Sequence, residues 1–293
     1  MDAAAGVGDL VAMQHIVLSY IQAESILQAR KAGREAVAVS LDLELTTAEV
    51  AIEPPGVRFL DGQSLAWEDV EAIRETPRSC FVIKDNKSHK IRVFSEATNR
   101  LYSLMPTAAA PTMLISGIPM HRIKGIDPHR DTLQKVKTIA PVMGRVLDTA
   151  TGLGYTATEA AKTAKHVVTI ELDPAALEVA RLNPWSQALF ENPRITQLIG
   201  DSFEEVHKFE DETFARIIHD PPAFSLAGEL YSGEFYCQLF RVLRPRGRMF
   251  HYIGDLYSKS GHTVARGAAR RLQEAGFSRV VRRRKSFGLV AYK

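Results

Sequence analysis

Cysteine is almost missing from this chain of 293 residues: Cys80 and Cys237 stand alone, too far apart for a disulfide framework or a metal cluster of recognisable spacing. That scarcity fits a reducing, cytoplasmic setting with no metal. Long apolar runs are missing too. The first apolar stretch, Leu10 to Ala29, is broken by Gln14, His15, Gln22, Glu24 and Gln28, so it reads as neither a signal peptide nor a membrane span. Internal repeats, low-complexity segments and a helix-turn-helix pattern are absent, which sets aside solenoids, disordered chains and proteins that read a DNA groove.

What is present is ordinary globular material, 45% hydrophobic and 24% charged, enough for one large domain or two modest ones. The net charge of +3 conceals an asymmetry. Residues 241–293 hold 14 Lys and Arg against Asp255 and Glu274, a local balance of +12, whereas the preceding residues carry −9. Such a basic segment is the footprint of a phosphate-backbone partner or simply a solvated face.

Residues 10–31 carry apolar side chains at helical spacing up to Gly33 and predict one amphipathic helix. From Ala36 to Met105 short β-like runs follow, Val37–Leu43, Ala48–Ile52, Val57–Leu60, Cys80–Ile83, Lys90–Phe94 and Arg100–Met105, with one short helix at Trp67–Arg74. Residues 107–130, rich in proline and holding His121, Arg122 and Lys124, read as a connector into a helix at 131–139, its basic groups either facing the active-site mouth or lying on a plain surface linker. After Pro141 strands and helices alternate, the pattern of a parallel sheet. The expected fold is α/β: a Rossmann-like seven-stranded sheet with helices on both faces over residues 141–293, a small N-terminal β-rich α+β domain over 1–105, and a connector with its lead-in helix over 106–140.

The first strand of that alternation ends in Asp148-Thr149-Ala150-Thr151-Gly152-Leu153-Gly154, where glycines let the backbone approach a ligand at a helix N-terminus. Glu171 ends the second strand about 20 residues later, the place of a carboxylate that binds ribose hydroxyls. Asp201-Ser202 follows the third strand, and His219-Asp220-Pro221-Pro222-Ala223-Phe224-Ser225 follows the fourth. Two prolines after a buried strand make that backbone rigid, which suits a site holding a flat group.

In this order the motifs resemble the class I S-adenosylmethionine-dependent methyltransferases over residues 141–293, and the Asp-Pro-Pro-x-Phe form resembles base methyltransferases acting on rRNA, of the archaeal predicted RNA methyltransferase type. The resemblance implies S-adenosyl-L-methionine as cofactor. Asp148, Ala150, Gly152 and Gly154 would surround its methionine part, Glu171 its ribose, and Asp201 with Ser202 its adenine. Ala150 departs from the glycine usual at its place, and Ala223 from the usual aromatic. Asp220, Pro221 and Pro222 would pin an amine of the acceptor base and Phe224 would stack on it. Cytosine C5 chemistry needs a cysteine nucleophile. Cys237 falls inside a predicted helix at 233–243, which leaves a nitrogen acceptor: the exocyclic amine of cytidine or adenosine, or guanine N7.

Structured RNA, rRNA or tRNA, is then the expected partner, with Arg266, Arg270, Arg271, Arg282 and Arg284 as phosphate contacts and Arg279, Arg283 and Lys285 beside them. Three alternatives stay open: an aminopropyltransferase of the spermidine-synthase kind, against which the arginine-rich C-terminal quarter speaks; a fold that binds RNA or a partner protein without catalysis; and a small-molecule N-methyltransferase.

Overall fold

The computed structural model describes residues 15–222 and 227–293. Its centre is a seven-stranded sheet in the spatial order Ile195–Ile199, His166–Glu171, Arg145–Asp148, Phe214–His219, Leu243–Tyr252, Gly288–Tyr292, Arg279–Arg283. The first five strands run parallel and the last two join antiparallel. The seven-stranded Rossmann-like sheet read from the alternation after Pro141 is therefore present.

Neighbouring residues along a strand enter different cores, as the alternation of side chains requires. Leu147, Ile217, Met249 and Leu289 pack with the helices Gly233–Val242 and Lys259–Glu274. Val146, Ile218, Phe250 and Val290 pack instead with the helices Pro128–Lys137 and Tyr155–Ala161. Both faces of the sheet are thus covered, which explains why its strands read as nearly continuous apolar runs.

Local signals place the helix starts. Asp173 caps Pro174–Arg181 by accepting from the Ala175 amide, and Asp127 caps Pro128–Lys137 by accepting from the Arg130 amide, each with proline in the first turn. The second pair moves the lead-in helix three residues ahead of the expected start at 131. It also puts Asp131 and Lys135 one turn apart on a face that is buried.

Residues 16–119 form three small antiparallel sheets with the helices Tyr20–Lys31 and Trp67–Arg74. The expected helix over 10–31 is corrected: residues 10–14 lie outside the described residues, Ile16–Leu18 is a strand paired with Phe81–Lys84, and the helix begins after Ser19. Ser19 and Gln22 form a capping box there, a stop and start that the apolar spacing alone conceals. The expected strand 90–94 splits at Ile91 into Lys87–Lys90 and Arg92–Ser95.

The connector reading of 107–130 is corrected as well. Thr112–Ile115 pairs with Arg100–Met105, and Ile118–Pro119 folds back on it through Ser116-Gly117, both at positive φ. Pro111 and Pro119 sit at the end and edge of this sheet, where no ladder bond is lost, and Pro128 opens the lead-in helix.

These sheets close onto the glycine-turn end of the large sheet. Leu104, Met113 and Ile115 share a core with Leu153, Tyr155 and Val179. The Tyr155 hydroxyl donates to the Pro111 carbonyl at 3.0 Å, the Trp185 indole to the Leu43 carbonyl at 2.7 Å, and the Thr98 hydroxyl to Asp173 at 2.6 Å. The cleft described next lies along this seam.

Candidate active site

A cavity of about 400 Å3 opens at the carboxyl ends of the parallel strands, where open α/β sheets bind their ligands. Ala150, Gly152, Glu171, Asp201, Ser202, Asp220, Pro221 and Pro222 all line it, so the structure brings together most of the residues singled out by motif order. Asp148 and Gly154 lie behind the wall, and Phe224 falls outside the described residues.

The glycine turn is held from both sides. Glu171 accepts from the Gly152 amide at 2.8 Å and from the Asp173 amide at 3.2 Å, tying the second strand to the turn after the first. Burial raises the Glu171 carboxyl and those amide bonds oppose it. Gly154 begins the helix Tyr155–Ala161 at φ +75, and a Cβ there would meet the Leu189 side chain at 2.6 Å. Gly154→Ala is expected to cost about 1–3 kcal/mol. Urea unfolding reads this directly, and an unchanged midpoint would mean that the turn relaxes freely.

Asp148 is fully buried; its Oδ2 accepts from Thr156 at 3.1 Å and Thr169 at 3.0 Å, while Oδ1 has no partner. Burial pushes this carboxyl up to about 8, so it is protonated at neutral pH and adds no charge to the cleft. Asp201 caps the helix Ser202–His207 by accepting from the Phe203 amide at 2.8 Å. The Ser202 hydroxyl donates to the Thr149 carbonyl at 2.6 Å. Both residues therefore shape the wall as well as face the cavity.

Asp220 brings a network of charges to the cavity wall. Its Oδ2 accepts from Lys135 at 2.7 Å, and Lys135 pairs also with Asp131 at 3.0 Å, which Arg122 reaches at 2.8 Å. Lys135 is 3% exposed and Asp131 0%, so a chain of alternating charges passes through the interior from Arg122 to Asp220 at the cavity. The Lys135 ammonium also lies 4.5 Å from the centre of the Tyr252 ring. Burial raises the Asp220 carboxyl, and Lys135 works against it. Burial alone would lower the Lys135 ammonium, but Asp220 and Asp131 outweigh it and leave it above its usual value.

Sequence reasoning missed Lys135, Asp131, Arg100 and Glu229. The Asp131–Lys135 spacing of one helical turn was visible, but it normally marks an exposed pair. His121 lines the cavity from the hairpin side, bonded to Thr112 at 3.0 Å, and burial with the nearby Lys135 lowers it to about 3, so it stays neutral. His219 is a core residue, bridging Thr149 at 2.7 Å and the Leu230 carbonyl at 2.9 Å. Among the described lining residues, Glu171, Asp201, Asp220 and Glu229 face a single cationic side chain, Arg100.

Several arginines of the basic C-terminal quarter are paired within the protein, while most of its basic side chains are exposed. Arg271 donates to the Tyr231 carbonyl at 2.9 Å, Arg270 pairs with Glu274 at 3.6 Å, Arg241 with Asp211 at 2.8 Å, and Arg248 bonds the Ala140 carbonyl. Arg266 lies exposed on the helix Lys259–Glu274, and Arg282 and Arg284 border a separate hollow beside Tyr257. None of these arginines lines the cavity. No helix among the described residues is long and apolar enough to cross a membrane.

Residues 124–259 match the family model described as "Spermine/spermidine synthase domain". The "Uncharacterized protein MJ1233" of Methanocaldococcus jannaschii is 38% identical over 95% of this chain and 96% of its own length. "Polyamine aminopropyltransferase 2" of Streptomyces coelicolor is 33% identical over 130 residues, which are 40% of this chain and 24% of that enzyme. Among solved structures, spermidine synthase of Thermotoga maritima superposes with a TM-score of 0.55 at 19% identity, over 69% of this chain and 70% of its own. A spermidine synthase in complex with the transition-state analogue AdoDATO reaches 0.57 at 21% identity, over 69% and 71%. At those identities the likeness establishes a shared fold.

These matches overturn the reading as an RNA-base methyltransferase, and with it S-adenosyl-L-methionine as methyl donor and RNA as partner. The physical reason is that a glycine turn followed by strand-end carboxylates is a pattern suited to any adenosyl-bearing donor, so it does not tell which group is transferred. Asp-Pro-Pro was left to identify the acceptor, and a carboxylate with two rigid prolines suits an aliphatic amine equally. The arginine argument against an aminopropyltransferase falls too, because those arginines stand away from the cleft.

Proposed function

The chain belongs to the family of the full-length Methanocaldococcus jannaschii relative, and on that footing we propose that it transfers an aminopropyl group from decarboxylated S-adenosylmethionine to a polyamine-type amine. The observation that carries this reading is the charge of the cleft: Glu171, Asp201, Asp220 and Glu229 against Arg100 alone among the described lining residues. A sulfonium donor whose tail ends in an ammonium, with no carboxylate, suits such a site. So does a cationic acceptor. The aminopropyltransferase relatives and the spermidine-synthase fold support the same choice.

In this reading Glu171 accepts the ribose hydroxyls, Asp201 the adenine amine, and the backbone at Ala150 and Gly152 lies along the donor. Thr149, Met113 and Ile115 line the same cavity, and the apolar side chains exclude water from part of it. The acceptor nitrogen attacks the methylene carbon bound to the sulfonium. The new C–N bond forms as the C–S bond breaks, its electron pair stays on sulfur, and methylthioadenosine leaves. The nitrogen's surplus proton passes to Asp220. Because the sulfonium already activates the carbon, orientation and charge placement supply much of the acceleration.

The test is chromatographic detection of methylthioadenosine when the full-length protein meets decarboxylated S-adenosylmethionine with each of a panel of diamines and polyamines. Amine-dependent release, with the mass of the amine raised by one aminopropyl group, is the expected result. No release with any amine in the panel would refute the activity.

A further inference from the structure

We propose that Lys135 is a positioning residue for this transfer, holding Asp220 through Oδ2 so that the carboxylate meets the acceptor nitrogen ionised and correctly turned. The inference rests on Asp220 as the proton acceptor of the proposed reaction. Its geometric basis is independent of the family matches.

An Asp131–Lys135 pair within one helix would already be complete as a structural ion pair. Here the ammonium lies closer to Asp220, at 2.7 Å, than to its own helical partner at 3.0 Å, and it spans 85 residues of sequence to do so. Desolvating an ammonium costs several kcal/mol before pairing, so a buried lysine needs both carboxylates to stay charged. Arg122 in turn secures Asp131: it bonds Asp131 and the Lys285 carbonyl, each at 2.8 Å, and lies 3.6 Å from the centre of the Phe287 ring. The lead-in helix is thereby fixed against the C-terminal strands, and the Ser286 hydroxyl, donating to the Gln134 carbonyl, repeats the attachment.

Asp220 has around it Lys135 and Asp131 from the lead-in helix, Tyr252 at a strand end, Tyr231 and Asp148, while His121 lines the same cavity and Arg122 reaches Asp131. Of these, Lys135 supplies the direct charge that favours the Asp220 carboxylate, while Asp131 disfavours it. With Oδ2 engaged, Asp220 has Oδ1 to offer an N–H of the acceptor. When the C–N bond forms, the proton moves to Asp220 and the ammonium of Lys135 is left paired with Asp131 until solvent takes that proton.

The experiment follows the Asp220 carboxyl by 13C NMR in full-length protein with labelled aspartate, its resonance identified by its loss in Asp220→Asn. Lys135→Met is expected to raise the Asp220 midpoint by roughly 1–3 pH units, since a neighbouring cation lowers a carboxylate by about that much. Lys135→Arg is expected to restore it towards wild type, and Asp131→Asn to lower it. In the transfer assay the acid limb of the pH profile should move with the midpoint in each variant. An unmoved midpoint in Lys135→Met overturns the proposal.

Should that variant fail to fold, Asp131→Asn decides, because a midpoint that stays or rises contradicts the charge chain. A wild-type protein that releases no methylthioadenosine refutes the reaction instead. The carboxyl titration then still reports, separately, whether Lys135 holds Asp220.

Discussion

Asp220→Asn is expected to slow amine-dependent release of methylthioadenosine roughly 10²–10⁴-fold, the range of a lost general acid–base group. The shape of the side chain is kept, so the change removes the negative charge and the proton-accepting oxygen while the strand end stays in place. Donor affinity should be nearly unchanged, because the residues proposed to hold the adenosyl part stand elsewhere, Glu171 at the end of another strand and Asp201 at the cap of a helix. Titration calorimetry with methylthioadenosine separates the two effects. An asparagine enzyme of full rate would remove Asp220 from the chemistry.

The same residue sets the acid side of the rate profile. A carboxylate must be ionised to take the amine's proton, and burial raises Asp220 above its ordinary value of 3.8 despite Lys135. The rate should therefore fall as pH drops through that raised value, at a higher pH than an exposed aspartate would give. A profile flat well into the acid range would contradict the assignment.

Glu171→Ala is expected to weaken methylthioadenosine binding on the order of 10²-fold, since a hydrogen bond to a charged group contributes about 1.5–3 kcal/mol. Part of the loss would come from the protein itself, where Glu171 accepts from the Gly152 amide at 2.8 Å and steadies the turn beneath the donor. Glu171→Gln keeps an acceptor for that amide and loses the charge, so comparing the two variants by calorimetry divides turn stability from ribose recognition. Equal, wild-type affinity in both would show that the donor does not rest on this carboxylate.

Much of the cleft was legible because its residues follow a local rule: they sit at the carboxyl ends of successive parallel strands, where strand-to-helix turns expose them. Ala150, Gly152, Glu171, Asp201 and Asp220 were found that way, and all line the cavity. The hairpin of Thr112–Ile115 and Ile118–Pro119 was not, since its prolines mimic a linker until the neighbouring strand shows which edge they occupy. The helix predicted over 10–31 failed for a related reason: three apolar residues at 16–18 suit a strand or a helix equally, and Phe81–Lys84 decides between them.

Charge divides what each level could tell. The count of basic residues near the C-terminus was plain in the sequence, but their partners were not. Arg241, Arg248 and Arg271 are drawn to carbonyls and carboxylates that approach only once the strands are stacked. Lys135 and Asp131, separated by one helical turn, look like an exposed pair until the packed sheet buries their face and brings Asp220 to the ammonium. Local sequence carried the order of strands and helices after Pro141, the glycine turn and the carboxylates at the strand ends, because periodicity and turn chemistry act over a few residues. Which charges meet was settled by packing, because Coulomb attraction and desolvation depend on distance and burial that distant segments create.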